Sequence, residues 1–218
     1  LIIDFEDDDL VDGGDGRDTL RLFNDRDIGS ASAYFNMGDD AGGADAEWFI
    51  TGSGTYFIDA STSDEGVTIT SYGATTAVGS DFDDEFKALS TSEKQVFDGG
   101  AGDDDITGRS GDDTLEGGVG DDKIKGMGGD DLLRGDLPGG GANPGDGDDT
   151  IHGGAGNDTI GGQGGDDDID GGTGDDRLFG SKGDDIVKGG DGNDYLNGNQ
   201  DDDQLFGGAG SDTMDGGA

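Results

Sequence analysis

The stretch from Gly171 to Asn197, GGTGDDRLFGSKGDDIVKGGDGNDYLN, carries the pattern that decides the fold. It divides into three frames of nine residues. Each frame has Gly in the first and fourth places, Asp in the sixth and an aliphatic residue in the eighth. A disordered acidic chain has no reason to keep Asp and an aliphatic residue two places apart in every frame. The stretch therefore predicts a repeated structural unit.

The same frames continue from Gly99 to Asp215 without a change of phase, thirteen in all. Twelve of them have Asp in the sixth place: Asp104, Asp113, Asp122, Asp131, Asp149, Asp158, Asp167, Asp176, Asp185, Asp194, Asp203 and Asp212. The eighth place in these frames is Ile106, Leu115, Ile124, Leu133, Ile151, Ile160, Ile169, Leu178, Val187, Leu196, Leu205 or Met214. A single apolar place per frame predicts one inward side chain per strand.

The frame itself predicts its geometry. The Gly-rich places one to six suit tight turns, because Gly tolerates positive φ. Places seven to nine alternate outward, inward and outward, which predicts a three-residue strand. Two frames then close a coil of eighteen residues, and stacking of coils puts each Asp on the same edge as the Asp two frames later. We therefore predict an all-β fold, a right-handed parallel β-roll or β-helix solenoid with two nonapeptides per coil.

Composition narrows the class of partner. The chain has 218 residues with 50 Gly, no Cys and a formal net charge of −41. Such a charge repels nucleic acid and anionic membranes, so the expected partner is a cation. Disulfides and Cys-ligated zinc are excluded, and the absence of a run of 18 apolar residues predicts no transmembrane segment.

Residues 1–98 are less regular and are predicted to form a wider, irregular β region ahead of a regular roll at 99–218. Isolated frames occur at 13–21, with Asp18 in the sixth place, and at 79–87, with Asp84 there. Strands are predicted at 1–5, 33–37, 48–51, 56–58 and 67–72. An eleven-residue insert, 88–98, is expected to lead into the array.

One frame, Gly135 to Asn143 (GDLPGGGAN), lacks both key residues. If it stays in the roll, Asp131 faces Asp149. If 135–143 is looped out, Asp122 pairs with Asp149 and Asp131 with Asp158. The second alternative is favoured because the frame has no strand former and a turn insertion costs little closure entropy.

The frames resemble the RTX (repeats-in-toxin, hemolysin-type) calcium-binding nonapeptide, GGxGxDxUx with U apolar. The resemblance implies that calcium binds at the sixth-place Asp residues, to which Asp18 and Asp84 are added with the irregular frames. About 9–10 ions are expected in the regular array. The resemblance also implies an extracellular or bacterial cell-surface location after type I secretion, with folding on extracellular calcium.

Two functions follow from this resemblance. The first is a structural, spacer or secretion-assisting module of a larger secreted or cell-surface protein, such as an adhesin, surface-layer protein or toxin. The alternative is an accessory calcium- and polysaccharide-binding module beside an alginate epimerase, serralysin-type protease or lipase. The first and last residues suggest an excerpt of a longer polypeptide.

No catalytic site is predicted in this region, because no Ser-His-Asp or zinc set forms around the single His, His152. The remaining candidate partners are a surface polysaccharide or neighbouring copies of the protein. The outward side chains Phe179, Ile186, Tyr195 and Phe206 could contact either, but they divide between two faces. Trp48, Phe49, Tyr56 and Phe57 could stack on a sugar, although packing inside a wider coil is the favoured interpretation. Alanine substitution of Trp48, Phe179 and Tyr195 would test glycan binding.

Overall fold

The computed structural model describes residues 19–23, 32–36, 46–51, 55–61, 63, 66–71, 73–89, 93–136 and 146–218. In these ranges every regular element is a strand, and the strands form two parallel sheets of ten. The first sheet contains β1 (Thr19–Phe23), β3 (Ala46–Thr51), β5 (Val67–Ser71), β7 (Glu85–Ala88), β9 (Asp105–Arg109), β11 (Lys123–Gly128), β13 (Thr150–Ala155), β15 (Asp168–Thr173), β17 (Ile186–Asp191) and β19 (Gln204–Ala209). The second contains β2 (Ser32–Asn36), β4 (Thr55–Asp59), β6 (Ala74–Val78), β8 (Gln95–Ala101), β10 (Thr114–Val119), β12 (Leu132–Asp136), β14 (Thr159–Gly164), β16 (Arg177–Lys182), β18 (Tyr195–Gln200) and β20 (Thr213–Asp215).

Each strand pairs with the strand two places later in the chain, so the backbone alternates between the sheets and winds into a parallel solenoid. In the array the pairing offset is eighteen residues, as in the register Ile151↔Ile169 and Ile169↔Val187. The predicted all-β solenoid with two nonapeptides per coil is therefore confirmed. No helix long and apolar enough to cross a membrane occurs in the ranges given above.

The strands are longer than the three residues predicted. β15 (Asp168–Thr173), for example, has six residues and continues into the first places of the next frame. Gly172, in the second place, pairs with Gly154 before it and with Gly190 after it. The prediction was wrong because it assigned every Gly-rich place to the turn, whereas the ladder pairing of the first places extends the strands.

The core is a stack of eighth-place side chains between the two sheets. From Ile106 to Leu196 these side chains have no exposed surface, and the places on either side of them are half-buried or exposed, except for the buried Gly161. Each buried aliphatic residue contributes roughly 1.5–3 kcal/mol. The last coil differs, since Leu205 is only partly buried and Met214 is 53% exposed.

The coils around β5 to β8 are wider and irregular. Their pairing offsets vary, with Thr68↔Glu85 and Thr75↔Gln95 as examples. Larger side chains fill them: Phe86 stacks on Phe97 with ring centroids 5.2 Å apart.

The predicted strands at 33–37, 48–51, 56–58 and 67–72 correspond to β2 to β5, whereas 1–5, Gly13 and Asp18 lie outside the described residues. The stretch 88–98 is not simply an insert, because Gln95 to Asp98 belong to β8.

The odd frame changes the register. β11 pairs with β13 as Lys123↔Thr150, and β12 with β14 as Leu132↔Thr159, an offset of 27 instead of 18. This is the register of the looped-out alternative. Because β12 continues to Asp136 and Asp146 bridges to Gly120, the nine extra residues fall between Asp136 and Asp146, two places later than 135–143.

Candidate cation-binding ladders

The sixth-place Asp residues form two ladders, one along each edge of the solenoid. Within a ladder, the backbone N–H of each Asp donates to Oδ1 of the Asp in the next coil, as from Asp149 to Asp167 and from Asp167 to Asp185, both at 2.9 Å. One ladder contains Asp84, Asp104, Asp122, Asp149, Asp167, Asp185 and Asp203. The other contains Asp113, Asp131, Asp158, Asp176, Asp194 and Asp212. These contacts satisfy one oxygen of each carboxylate.

The second oxygen is a different case. Ten buried Oδ2 atoms have no hydrogen-bond partner among the described residues: those of Asp104, Asp122, Asp131, Asp149, Asp158, Asp167, Asp176, Asp185, Asp194 and Asp203. A buried polar atom without a partner costs on the order of 1–3 kcal/mol, and more when it is charged. The ladders therefore need a proton or a cation beside each of these oxygens.

The glycine turns place carbonyl oxygens beside the same atoms. A Cβ built on Gly171 would lie within 3.0 Å of both Oδ2 of Asp176 and the carbonyl oxygen of Gly189, one coil further on. The same arrangement occurs in the turns beginning at Gly79, Gly99, Gly108, Gly117, Gly126, Gly135, Gly153, Gly162 and Gly189. Only Gly leaves this space open between coils.

These carboxylate and carbonyl oxygens are suitable ligands for a calcium ion. Calcium takes six to eight oxygen ligands from carboxylates and backbone carbonyls in flexible geometry, and the gap between coils offers both kinds. In the described part of the chain, no three His, Cys, Asp or Glu side chains form a metal-binding group. Backbone carbonyls would therefore supply a large share of the ligands, with the sixth-place carboxylates adding negative charge.

The pKa values of the ladder carboxyl groups also indicate that a proton or a cation is needed beside them. Burial raises the pKa of Asp104 to about 8, that of Asp149 to about 9 and that of Asp167 to about 8. The N–H donated by the preceding Asp partly offsets burial, and neighbouring carboxylates raise the pKa further. Without a cation, these carboxyl groups thus favour the protonated form near neutral pH; a divalent cation would favour the carboxylate.

A second row of polar side chains, in the fifth place, was not predicted from the sequence. Its bonds run in the opposite direction, since the N–H of Asp121 donates to Oδ1 of Asp103 at 3.1 Å. The acceptors are Asp83, Asp103, Asp121, Asp148, Asp166, Asp184, Asp112, Asp130, Asn157, Asp175 and Asn193. The signal was present, because eleven of the twelve regular frames have Asp or Asn there. These contacts join consecutive turns on the exposed side.

Asp136, at the base of the insertion, was also missed. Its side chain is buried, and its two oxygens accept from the N–H groups of Gly147 at 3.4 Å and Gly164 at 3.1 Å. Burial raises its pKa to about 7. No sequence pattern marks this role, because it depends on where the extra residues leave the coil.

The other predicted contact residues lie on the outer faces. Phe179 and Tyr195 are on the second sheet, with ring centroids 5.8 Å apart at a tilt of 54°. His152 is exposed and its Nδ1 is 4.0 Å from Asp170. Asp18 and the side chain of Trp48 lie outside the described residues.

This arrangement of a parallel β-solenoid, paired acidic ladders and glycine turns defines a class of repeat protein built around cations. Comparison with known families assigns the chain within that class. The model for the RTX calcium-binding nonapeptide repeat (4 copies) matches residues 2–28, 96–115, 107–137, 144–178, 170–205 and 188–218, more than half of the chain. The chain belongs to this family and is a structural calcium-binding module. No curated protein matches it.

Proposed function

We propose that this module folds on binding calcium through its sixth-place Asp residues, and that it serves as a structural, spacer or secretion-assisting part of a larger secreted or cell-surface bacterial protein. The observation that carries the proposal is the set of ten buried Oδ2 atoms without partners. Eight of them, all but those of Asp185 and Asp203, lie at a glycine that also faces a carbonyl oxygen of the next coil. About ten calcium ions would fill the gaps between coils.

The role of the ion follows from the charge. The chain has 53 acidic and 12 basic residues, so stacking the ladders brings like charges together. Calcium would neutralise these charges and supply a partner for each unpartnered oxygen. Because no such site exists in the unfolded chain, the binding free energy acts as folding free energy. An array of this kind stays unfolded where calcium is scarce and folds where calcium is abundant, which suits export before folding.

Ion counting on matched variants tests the ligand assignment. Asp176→Asn should reduce the number of bound calcium ions by at least one and weaken the affinity of the rest, since Asp176 contributes an unpartnered buried oxygen. The control is Asp175→Asn, next to it on the exposed side, where the amide can still accept the N–H of Asn193. Equal ion counts in the two variants, measured by equilibrium dialysis, would contradict the assignment.

The proposed location is tested on the intact parent protein in its own cells. Protease added to whole cells should reach the module, because it lies outside the cell. It should cleave the module only after calcium is removed, because the calcium-loaded roll resists proteolysis. A folded, calcium-loaded pool inside the cytoplasm would overturn the proposed route of folding after secretion.

A second candidate function, saccharide binding, is favoured by a groove of about 470 Å³ on the outer face of the second sheet. In the strand register, Gly161 lies between Arg134 and Phe179, so the row of side chains is interrupted there. Phe179 lines the groove beside the gap, and Arg134 and Asn199 in the same lining carry hydrogen-bond donors. An aromatic face with a few polar groups suits a sugar ring.

Glycan-array binding in calcium tests this candidate. Phe179→Ala should abolish binding, whereas Phe206→Ala, which removes an aromatic ring 53% exposed on the other sheet, should not. Equal binding by both variants would exclude the groove. Self-association lost in Phe179→Ala, with no glycan bound, would instead assign this face to a neighbouring copy.

A further inference from the structure

The first Asp of each ladder differs from the others in its hydrogen bonds. Oδ1 of Asp84 accepts the N–H of Val67 at 2.5 Å, and its Oδ2 accepts the N–H of Ser80 at 2.6 Å and the Ser80 hydroxyl at 3.2 Å. In the other ladder, Asp113 accepts the N–H of Gln95 on Oδ1 at 2.8 Å and that of Arg109 on Oδ2 at 3.0 Å. Both oxygens of both carboxylates therefore have protein donors.

The donor to Oδ2 comes from the second place of the frame, Ser80 or Arg109. In the following turns the second-place residue has positive φ, except Asp136 at the insertion: Gly100, Gly118, Met127, Gly154, Gln163, Gly172, Ser181, Gly190, Asn199 and Gly208. Four of these are not glycine, so the turn imposes a left-handed conformation even where it is strained. Ser80 and Arg109 are not among the described residues with positive φ.

These contacts have an electrostatic consequence. An N–H group carries partial positive charge, and the N–H groups of Ser80 and Arg109 place that charge beside Oδ2. Hydrogen bonds from backbone N–H groups stabilise a carboxylate in its charged form without a metal. The two starting turns are thus satisfied by the protein itself, whereas the turns of Asp104 and Asp131 leave Oδ2 without a partner.

We infer that Asp84 and Asp113 are hydrogen-bonded starting points of the two ladders and not cation ligands, and that the second-place residues Ser80 and Arg109 determine this. The cation sites then begin with Asp104 on one edge and Asp131 on the other. This inference rests on the proposed calcium-binding function and assigns which carboxylates perform it. It replaces the sequence-based expectation that Asp84 and Asp113 bind calcium.

Such starting points give the array a fixed end. A repeat protein needs terminal units that cover the last repeat, because each repeat contacts only its neighbours and the last one lacks a neighbour on one side. The N–H groups of Asp84 and Asp113 donate to Asp104 and Asp131 at 2.7 and 2.8 Å. A satisfied first carboxylate would therefore fix the register of each ladder before ions add to it.

The test counts calcium ions bound by the full chain, by equilibrium dialysis with elemental analysis, in Asp113→Asn and in the matched variant Asp131→Asn. Asp113→Asn should bind as many ions as the wild type, and Asp131→Asn at least one fewer. A loss of one ion in Asp113→Asn, with its β-sheet circular dichroism intact, would overturn the inference. Absence of calcium binding by the wild type would instead refute the proposed function itself.

A second variant keeps the test decisive if Asp113→Asn does not fold. Arg109→Gly gives the second place the freedom for positive φ found in the other turns. It should bind one ion more than the wild type, because the N–H no longer occupies Oδ2 of Asp113. An unchanged count in Arg109→Gly would contradict the role assigned to the second place.

Discussion

The wide coils from Val67 to Phe97 and the regular array from Gly99 to Asp215 both enclose a buried interior between two sheets, but they differ in the side chains that fill it and in how buried polar atoms are paired. In the wide coils, larger rings such as Phe86 fill the interior, and most inward polar groups have protein partners: the Ser71 and Thr75 hydroxyls bond to each other, and Gln95 Nε2 donates to the Gly73 and Glu93 carbonyls, although Gln95 Oε1 has no partner in the described part of the chain. In the array the interior is one aliphatic residue per strand, and one oxygen of ten of the twelve sixth-place carboxylates lacks a partner among the described residues.

The difference explains why one chain contains both regions. Protein hydrogen bonds hold the wide coils together, so we propose that they keep their structure without calcium. The array depends on an external cation and is therefore the responsive part. The boundary at residues 98 and 99 remains a proposal, and it falls within β8, which pairs with β6 as Val96↔Thr76 and with β10 as Val96↔Thr114.

The largest effect is expected from removal of a ladder carboxylate. Asp167→Ala in saturating calcium should lower the free energy of unfolding of the array by about 3–5 kcal/mol, as for breaking one partner of a buried ion pair. Urea unfolding followed by circular dichroism measures it. The control, Asp166→Ala, removes an exposed acceptor of the Asp184 N–H and should have a much smaller effect. Similar losses of stability in the two variants would show that the sixth-place ladders matter no more than the exposed fifth-place row.

A matched pair of core substitutions separates the two regions. Ile69 in the wide coils and Ile169 in the array are both fully buried, so each Ile→Ala change should cost about 2–5 kcal/mol. Ile69→Ala should reduce the stability of the calcium-free protein, whereas Ile169→Ala should matter only with calcium present. Thermal unfolding in calcium and in chelator distinguishes these outcomes, and an effect of Ile169→Ala in chelator would show that the array is folded there.

Acidity should partly replace calcium. The folded pKa values of about 7 to 9 for the ladder carboxyls Asp122, Asp149 and Asp167 exceed the ordinary 3.8, so the calcium-free roll binds more protons than the unfolded chain. Its stability is therefore fully present below about pH 4 and is lost as the pH rises through 7 to 9. Calcium-free β-sheet circular dichroism should be stronger at pH 5 than at pH 9. With calcium present the trend reverses, because protons compete with calcium for the carboxylates. In chelator, a β-sheet circular dichroism signal that grows with pH would contradict the prediction.

The smallest effect concerns backbone strain. Gln163 has a φ of 88°, a region that glycine adopts without strain. Gln163→Gly should raise the unfolding midpoint of the calcium-loaded roll by relieving strain worth about 1 kcal/mol. Gln200→Gly is the control, since Gln200 is exposed and is not among the residues with positive φ. Stabilisation by both variants would point to a cause other than the turn geometry.

The repeat predicted the coil length, the parallel stacking and the inward eighth place, because a period fixes which residues share a face and an edge. The register around the insertion was left open between two alternatives, and the exit point at Asp136 could not be found, since it depends on how far β12 continues. The Arg109 and Ser80 contacts were equally inaccessible. The frame at Gly108 has the same key residues as the others, so its sequence does not mark the different φ of Arg109.

Hydrogen exchange by mass spectrometry on the full chain, with calcium and with chelator, tests the central claim most directly. In calcium, amides in β13 to β18 and those in β5 to β8 should both be protected. In chelator, protection should disappear from β13 to β18 and persist in β5 to β8. Array amides that stay protected in chelator at neutral pH would contradict the account.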